Sequence, residues 1–137
     1  MKLVPVALAL FYERVDETLK VWVQTREDDG PYHGLLEFPG GGIEAGETPL
    51  AAVIREVQEE VGITILQEAG EFMGTYHNQL QNRSILLYVY LFSPTTDLLG
   101  KGRWLTVKRP ELSLEFTGLI PGPNHKIIDD LFLSLIS

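Results

Sequence analysis

Along most of this chain apolar residues fall in short runs bounded by polar turns, a pattern that predicts strands, and only two stretches carry helical spacing. Residues 4–12 and 19–25 are β-rich runs separated by the polar stretch 13–18, a hairpin-like arrangement. Residues 26–34 hold three acids, two glycines and a proline, the composition of a loop. A short strand over 35–38 ends at Pro39 and the run Gly40-Gly41-Gly42. Residues 63–76 read as extended with a break at 68–70, 84–92 as the clearest buried strand, and 103–107 as a further short one. A helix is expected over 48–61, with Thr48 as N-cap, Pro49 at the first position and Gly62 just past the end. Its apolar stripe is Leu50, Val53, Ile54, Val57 and Val61. A second helix closes the chain over 124–136, with Ile127, Ile128, Leu131, Phe132 and Leu135 on one face. Strands, helix, strands and helix in that order predict a single α+β domain over residues 1–137, with a mixed β-sheet between helices.

A length of 137 residues suits one domain, and 45% hydrophobic with 22% charged residues is ordinary for a globular chain, which excludes disorder as its main description. No cysteine is present, so disulfides, thiolate metal sites and cysteine nucleophiles are excluded together. Eleven basic residues against nineteen acidic leave a net charge of −8. A nucleic-acid partner is therefore not expected, because phosphate backbones are held by clustered Lys and Arg. A polyphosphate stays within reach if divalent metals bridge the like charges. The apolar run at the N-terminus is too short for a signal peptide, and no stretch reaches the ~18 apolar residues of a membrane span. The expectation is a soluble cytoplasmic protein with no membrane partner.

Six of the acids lie close together in sequence: Glu37, Glu44, Glu47, Glu56, Glu59 and Glu60. On the expected helix Glu56, Glu59 and Glu60 stand at i, i+3 and i+4, neighbours on one surface. Bare, these charges repel. Hard divalent cations such as Mg2+ or Mn2+ take carboxylate oxygens and remove the repulsion. A solvated acidic helix face is the alternative on these residues alone. The preceding glycine run lets backbone approach a ligand or metal closely, or is a plain tight turn.

Residues 41–63 read GGIEAGETPLAAVIREVQEEVGI. Gly41 is followed after five residues by Glu47, and Glu47 after seven by Arg55-Glu56; Val57, Glu59-Glu60, Gly62 and Ile63 complete a pattern that resembles the Nudix box in full. Seven fixed residues and two apolar positions would coincide by chance on the order of once in 10⁹ starts. The resemblance implies a Nudix-type α/β/α sandwich. It also implies a Mg2+- or Mn2+-dependent hydrolase of nucleoside diphosphates linked to another moiety. By the same resemblance Glu56, Glu59 and Glu60 would ligate metal together with the Gly40 carbonyl, while Glu47 and Arg55 would orient those carboxylates.

Leu36-Glu37-Phe38-Pro39-Gly40-Gly41, followed by Gly46-Glu47-Thr48-Pro49, resembles the MutT-like branch of that family. Its members cut nucleoside triphosphates, notably oxidised guanine nucleotides, to monophosphate and pyrophosphate. Carried onto this chain, the likeness gives Arg26 a place in the nucleotide pocket and makes Asn124 a reader of the purine edge, its amide offering both donor and acceptor. Each has a plainer reading: Arg26 as a solvated strand end, Asn124 as N-cap of the last helix. Phe38 is either core or a base-stacking residue; its place beside the glycine run sets it, with Gly41, among the substrate-binding candidates. Where the branch has an acidic ligand before a late tryptophan, this chain has Arg103 before Trp104, and Arg103 is expected at a substrate phosphate. The general base is then Glu59 or Glu60, or His77 as a neutral imidazole. Rival substrates are RNA 5′ ends, nucleoside diphosphate sugars and dinucleoside polyphosphates. A nucleotide-binding domain that does not cut is the rival outside enzymes. Monomer and homodimer are both compatible with the sequence.

Overall fold

The computed structural model describes residues 2–95, 97–98, 102–108, 118–120 and 122–136. Its elements run β1 (Lys2–Val15), β2 (Thr18–Thr25), β3 (Leu36–Glu37), β4 (Gly40–Gly42), α1 (Pro49–Val61), a 3-10 turn (Gln67–Ala69), β5 (Glu71–Gln79), β6 (Arg83–Phe92), β7 (Gly102–Val107) and α2 (Pro123–Ile136). They group into two compact units, one of Met1–Phe11 with Pro39–Gly100, the other of Tyr12–Phe38 with Lys101–Ser137.

In the first unit β1 pairs in parallel with β6, from Lys2↔Arg83 to Phe11↔Phe92, and antiparallel with β4 at Val6↔Gly42, Ala7↔Gly41 and Leu8↔Gly40. β5 follows β6, antiparallel, with a bulge between Phe72 and Gly74. The sheet is mixed, as the element order predicts. Ala7, Ala9, Leu10 and Phe11 are fully buried, which a strand with neighbours on both edges and cover on both faces requires. The glycine run differs from its expected turn: it is a strand. A side chain at Gly40 would collide with the Ala7 carbonyl and Leu8, so only glycine lets β4 lie this close to β1. The partner that makes it a strand lies more than thirty residues upstream, beyond any local pattern.

Helix α1 has the ends its sequence predicts. Thr48 Oγ1 accepts from the Ala51 N–H at 3.1 Å, Pro49 takes the first position, and Gly62 closes the helix at φ 82° with its N–H on the Val57 and Gln58 carbonyls. Its buried face is narrower than the expected stripe: Ala52, Val53 and Val57 are buried, whereas Leu50, Ile54 and Val61 are half-buried. The spacing of the buried positions puts Glu56, at i+4 from Ala52, on that same inner side.

In the second unit β2 is antiparallel to the end of β1 (Tyr12↔Val21 to Val15↔Thr18), to β3 (Gln24↔Glu37, Thr25↔Leu36) and to β7 (Leu19↔Val107 to Gln24↔Gly102). The hairpin turn shrinks from the expected six residues to Asp16-Glu17. Asp16 adopts φ 54°, the left-handed conformation that two-residue hairpin loops need and Asp tolerates. Arg14 fastens the turn, donating from Nε to the Asp16 carbonyl at 3.0 Å and from Nη1 to the Leu135 carbonyl at 2.6 Å. Leu19, Val21, Val23 and Val107 are fully buried, and α2 buries Ile127, Ile128, Leu131 and Phe132. The Trp22 ring lies across Gly102, where any side chain would overlap it. Among the described residues no helix is long and apolar enough to cross a membrane.

Candidate active site

One guanidinium organises the loop and helix of the first unit. Arg55 binds Glu47 in a fork, Nε to Oε2 at 2.8 Å and Nη2 to Oε1 at 3.0 Å, and Nη2 also donates to the Gly42 carbonyl at 3.0 Å. Its Nη1 donates to Glu56 Oε1 at 3.0 Å and to Glu59 Oε2 at 3.4 Å, and lies 3.7 Å from Glu44 Oε1. Arginine suits this position because its planar fork satisfies a bidentate carboxylate and still has donors left for others. Hydrogen bonds from Arg55, then the Glu44 N–H, bring the Glu47 carboxyl down to about 2. Glu47 in return raises the Arg55 pKa above its ordinary value, with Glu56 adding to the effect. The loop is closed twice, by Glu44 N–H on Glu47 Oε1 and by Glu47 N–H on the Glu44 carbonyl, both at 3.0 Å.

Gly41 stands where the Glu56 carboxylate rests. A Cβ there would lie 2.5 Å from Glu56 Cδ and 2.6 and 2.8 Å from its oxygens, so the missing side chain is the space the carboxylate occupies. Carboxylate and backbone carbonyl oxygens are the donors Mg2+ and Mn2+ take, and by that chemistry the residues fit a hard divalent cation. Among the described residues no group of three or more His, Asp or Glu side chains comes close enough together to hold a metal ion. Glu56 and Glu59 instead gather on Arg55, and Glu60 lies on the exposed last turn of α1. The repulsion counted from the helix spacing is thus offset by a cation from the chain itself.

The remaining candidates lie in the second unit, except His77. Arg26 follows β2 and pairs with Asp28 at 2.7 Å and Glu37 at 3.2 Å, so it is more than a solvated strand end. Burial raises the Glu37 carboxyl above the usual range in spite of that cation. Phe38 is core, only 3% exposed, and its ring is not offered for stacking. Asn124 is not the helix cap: α2 starts one residue earlier at Pro123, and the Asn124 amide donates to the Ile120 carbonyl at 3.3 Å. Pro121, the first residue of that Pro-Gly-Pro-Asn run, lies outside the described residues. Arg103 is exposed on β7, opposite Val23. His77, in the first unit, shares a hydrogen bond between its Nε2 and Ser84 Oγ, so that nitrogen is already engaged. Sequence reasoning gave no role to Glu44 or to the Gly42 carbonyl. The Glu44-x-x-Glu47 spacing was the available signal for the first; nothing local could mark the second.

The NUDIX domain model matches residues 2–116, and the chain belongs to the Nudix family. Within it the likeness is to the MutT-like branch. The 8-oxo-dGTP diphosphatase of Escherichia coli (strain K12) is 53% identical over 49 residues, 36% of this chain and 38% of that protein. The CTP pyrophosphohydrolase of the same organism is 29% identical over 90 residues, 66% of this chain and 62% of that protein. The chain thus spans less than two thirds of the length of either relative. The solution structure of the E. coli ORF135 protein aligns with a TM-score of 0.68 at 26% identity, over 98% of this chain and 93% of that one. The fold class expected from the sequence, an α+β Nudix-type sandwich with a mixed sheet, is the one this similarity shows.

Proposed function

We propose that the chain is a divalent-metal-dependent pyrophosphohydrolase that cuts a nucleoside triphosphate, with an oxidised purine nucleotide the first candidate, to monophosphate and pyrophosphate. The observation that carries this reading is the Arg55 fork, which ties the loop through Glu47 and Gly42 to the helix carboxylates of Glu56 and Glu59. Glu56, Glu59 and Glu60 with the Gly40 carbonyl would hold Mg2+ or Mn2+. The bound cation would neutralise the polyphosphate and lower the pKa of an attacking water. Arg55 fixes one oxygen of Glu56 and Glu47 fixes Arg55, so the carboxylate is oriented before any ligand arrives. Glu59 or Glu60 is the proposed base, ahead of His77, whose Nε2 is held by Ser84. Arg26, Arg103 and Asn124 keep the substrate-binding roles that the family likeness implies. Asn124 spends one of its two amide N–H donors on Ile120, which leaves the other, with Oδ1 as acceptor, for a base edge. Phe38 drops out of the set.

The test is a hydrolysis panel in Mg2+ and Mn2+, with products separated by chromatography. It includes dGTP, oxidised dGTP, CTP, the other triphosphates, a nucleoside diphosphate sugar and triphosphorylated RNA. Monophosphate plus pyrophosphate from one triphosphate, lowered by orders of magnitude in Glu56→Gln, is the expected result. Cleavage of sugar nucleotides or RNA alone overturns the substrate class. Tight nucleotide binding without turnover overturns the enzyme reading itself.

A further inference from the structure

β5 ends the strand order of the first unit: β6 lies along one edge, and no strand among the described residues lies along the other. Open edges are usually blunted with Lys or Pro, and Glu71–Gln79 contains neither; its one irregularity is the bulge near its start, which leaves Thr75 to Gln79 regular. The two ends of this edge carry opposite charge. Glu71 is exposed at one end, and Arg83 is exposed at the other, where Leu80 N–H on the Arg83 carbonyl closes the β5–β6 hairpin. Neither side chain is in an ion pair among the described residues.

We infer that two copies of this chain pair through β5, antiparallel about a twofold axis. Keeping like faces together restricts the alignment to those with a β5 residue on the axis, and the opposite charges at the two ends select among them. Glu71 is opposite Leu91, and Leu91 and Arg83 are eight residues apart on β6, so Glu71, Leu80 and Arg83 all point to one face. With the bulge counted, the alignment with Tyr76 on the axis puts Thr75 opposite His77 of the partner subunit and Glu71 opposite Leu80 of the partner subunit. Glu71 then stands in the same row as Arg83 of the partner subunit, two strands away at about 10 Å between Cα atoms, within reach of an ion pair. A parallel arrangement would instead bring the two Glu71 side chains together. The half-exposed Phe72, in tilted ring contact with Tyr90, comes to lie against Gln79 of the partner subunit. Such an interface is isologous and stops at two copies.

Within one chain Glu71 and Arg83 are separated by about 26 Å along β6, so a charge exchange between them reports on the second copy alone. The experiment is sedimentation velocity of the full chain from micromolar to sub-millimolar concentration, at low and high salt. A monomer–dimer equilibrium weakened by salt is expected. Glu71→Lys and Arg83→Glu should each raise the dissociation constant about tenfold, with unchanged melting curves, and the double exchange should restore it. A monomer throughout, assembly beyond two copies, or a dimer indifferent to both single exchanges overturns the inference.

Discussion

Adding one methyl group at Gly41 would put a carbon 2.5 Å from Glu56 Cδ and 2.6 and 2.8 Å from its two oxygens. Carbon contacts settle at about 3.5–4.0 Å, so the carboxylate must retreat by about 1 Å. Misplacement on that scale costs about 10²-fold in rate, or about 2.7 kcal/mol of barrier. The retreat also draws Glu56 away from Arg55 Nη1, now 3.0 Å distant. The atom in the way is the end of a flexible side chain, so the fold should persist while kcat/KM falls about 100-fold. Gly42→Ala is the internal control, because a methyl group there meets nothing within 4 Å. The assay is kcat/KM on the best substrate of the panel in Mg2+, alongside thermal melts by circular dichroism. Native kcat/KM in Gly41→Ala, or an equal loss in Gly42→Ala, would refute the reasoning.

Glu47 titrates at about 2 in the folded chain against about 4.5 for an unperturbed Glu, so its ionisation adds stability that is complete above about 4.5 and lost as pH falls through about 2. The stability gap between the native chain and Glu47→Gln, followed by urea unfolding, should close across that interval; a constant gap would assign it to packing. Arg26→Met removes the cation that opposes burial at Glu37, so the Glu37 carboxyl should move further up in an NMR titration. That group binds its proton more tightly folded than unfolded, so the variant should lose stability as pH rises from the ordinary Glu value through the folded one, and a carboxyl that stays put would show that Arg26 does not set it. Thr48→Ala, which leaves the Ala51 N–H uncapped, should cost about 1 kcal/mol and lower the melting temperature by a few degrees.

What could be read from the sequence was local. Thr48, Pro49 and Gly62 announce both ends of α1 because capping is decided within four residues of each end. The Glu47-to-Arg55-Glu56 spacing anticipates the Arg55 cluster of the candidate site because the loop and helix that bear it are contiguous in the chain. The errors have distant causes. Composition put the hairpin turn at 13–18, yet Arg14 is held by Leu135 and the strands persist to Asp16-Glu17. Glycines that look like a turn become β4 because Ala7 and Leu8 pair with them. Phe38 beside that run could not be assigned to core or pocket without the burial that tertiary structure supplies. The helix stripe was read too wide because Leu and Ile count as buried by type, whereas here the small Ala52 faces inward next to Glu56.

The parallel pairing of β1 with β6 has a consequence for how the protein is made. Lys2 meets Arg83 and Phe11 meets Phe92, partners about eighty residues apart. At a synthesis rate of about 5–20 residues per second, the apolar run Ala7 to Phe11 leaves the ribosome several seconds before its partner strand has been made. The glutamate-bearing helix lies inside that interval and can wind early, since its contacts with Thr48, Glu47 and Gly62 are all nearby in the chain. Closing so long a loop makes β1–β6 docking a late and slow event. During that wait β4 can cover one edge of β1 while the edge meant for β6 stays open, the kind of segment a chaperone holds.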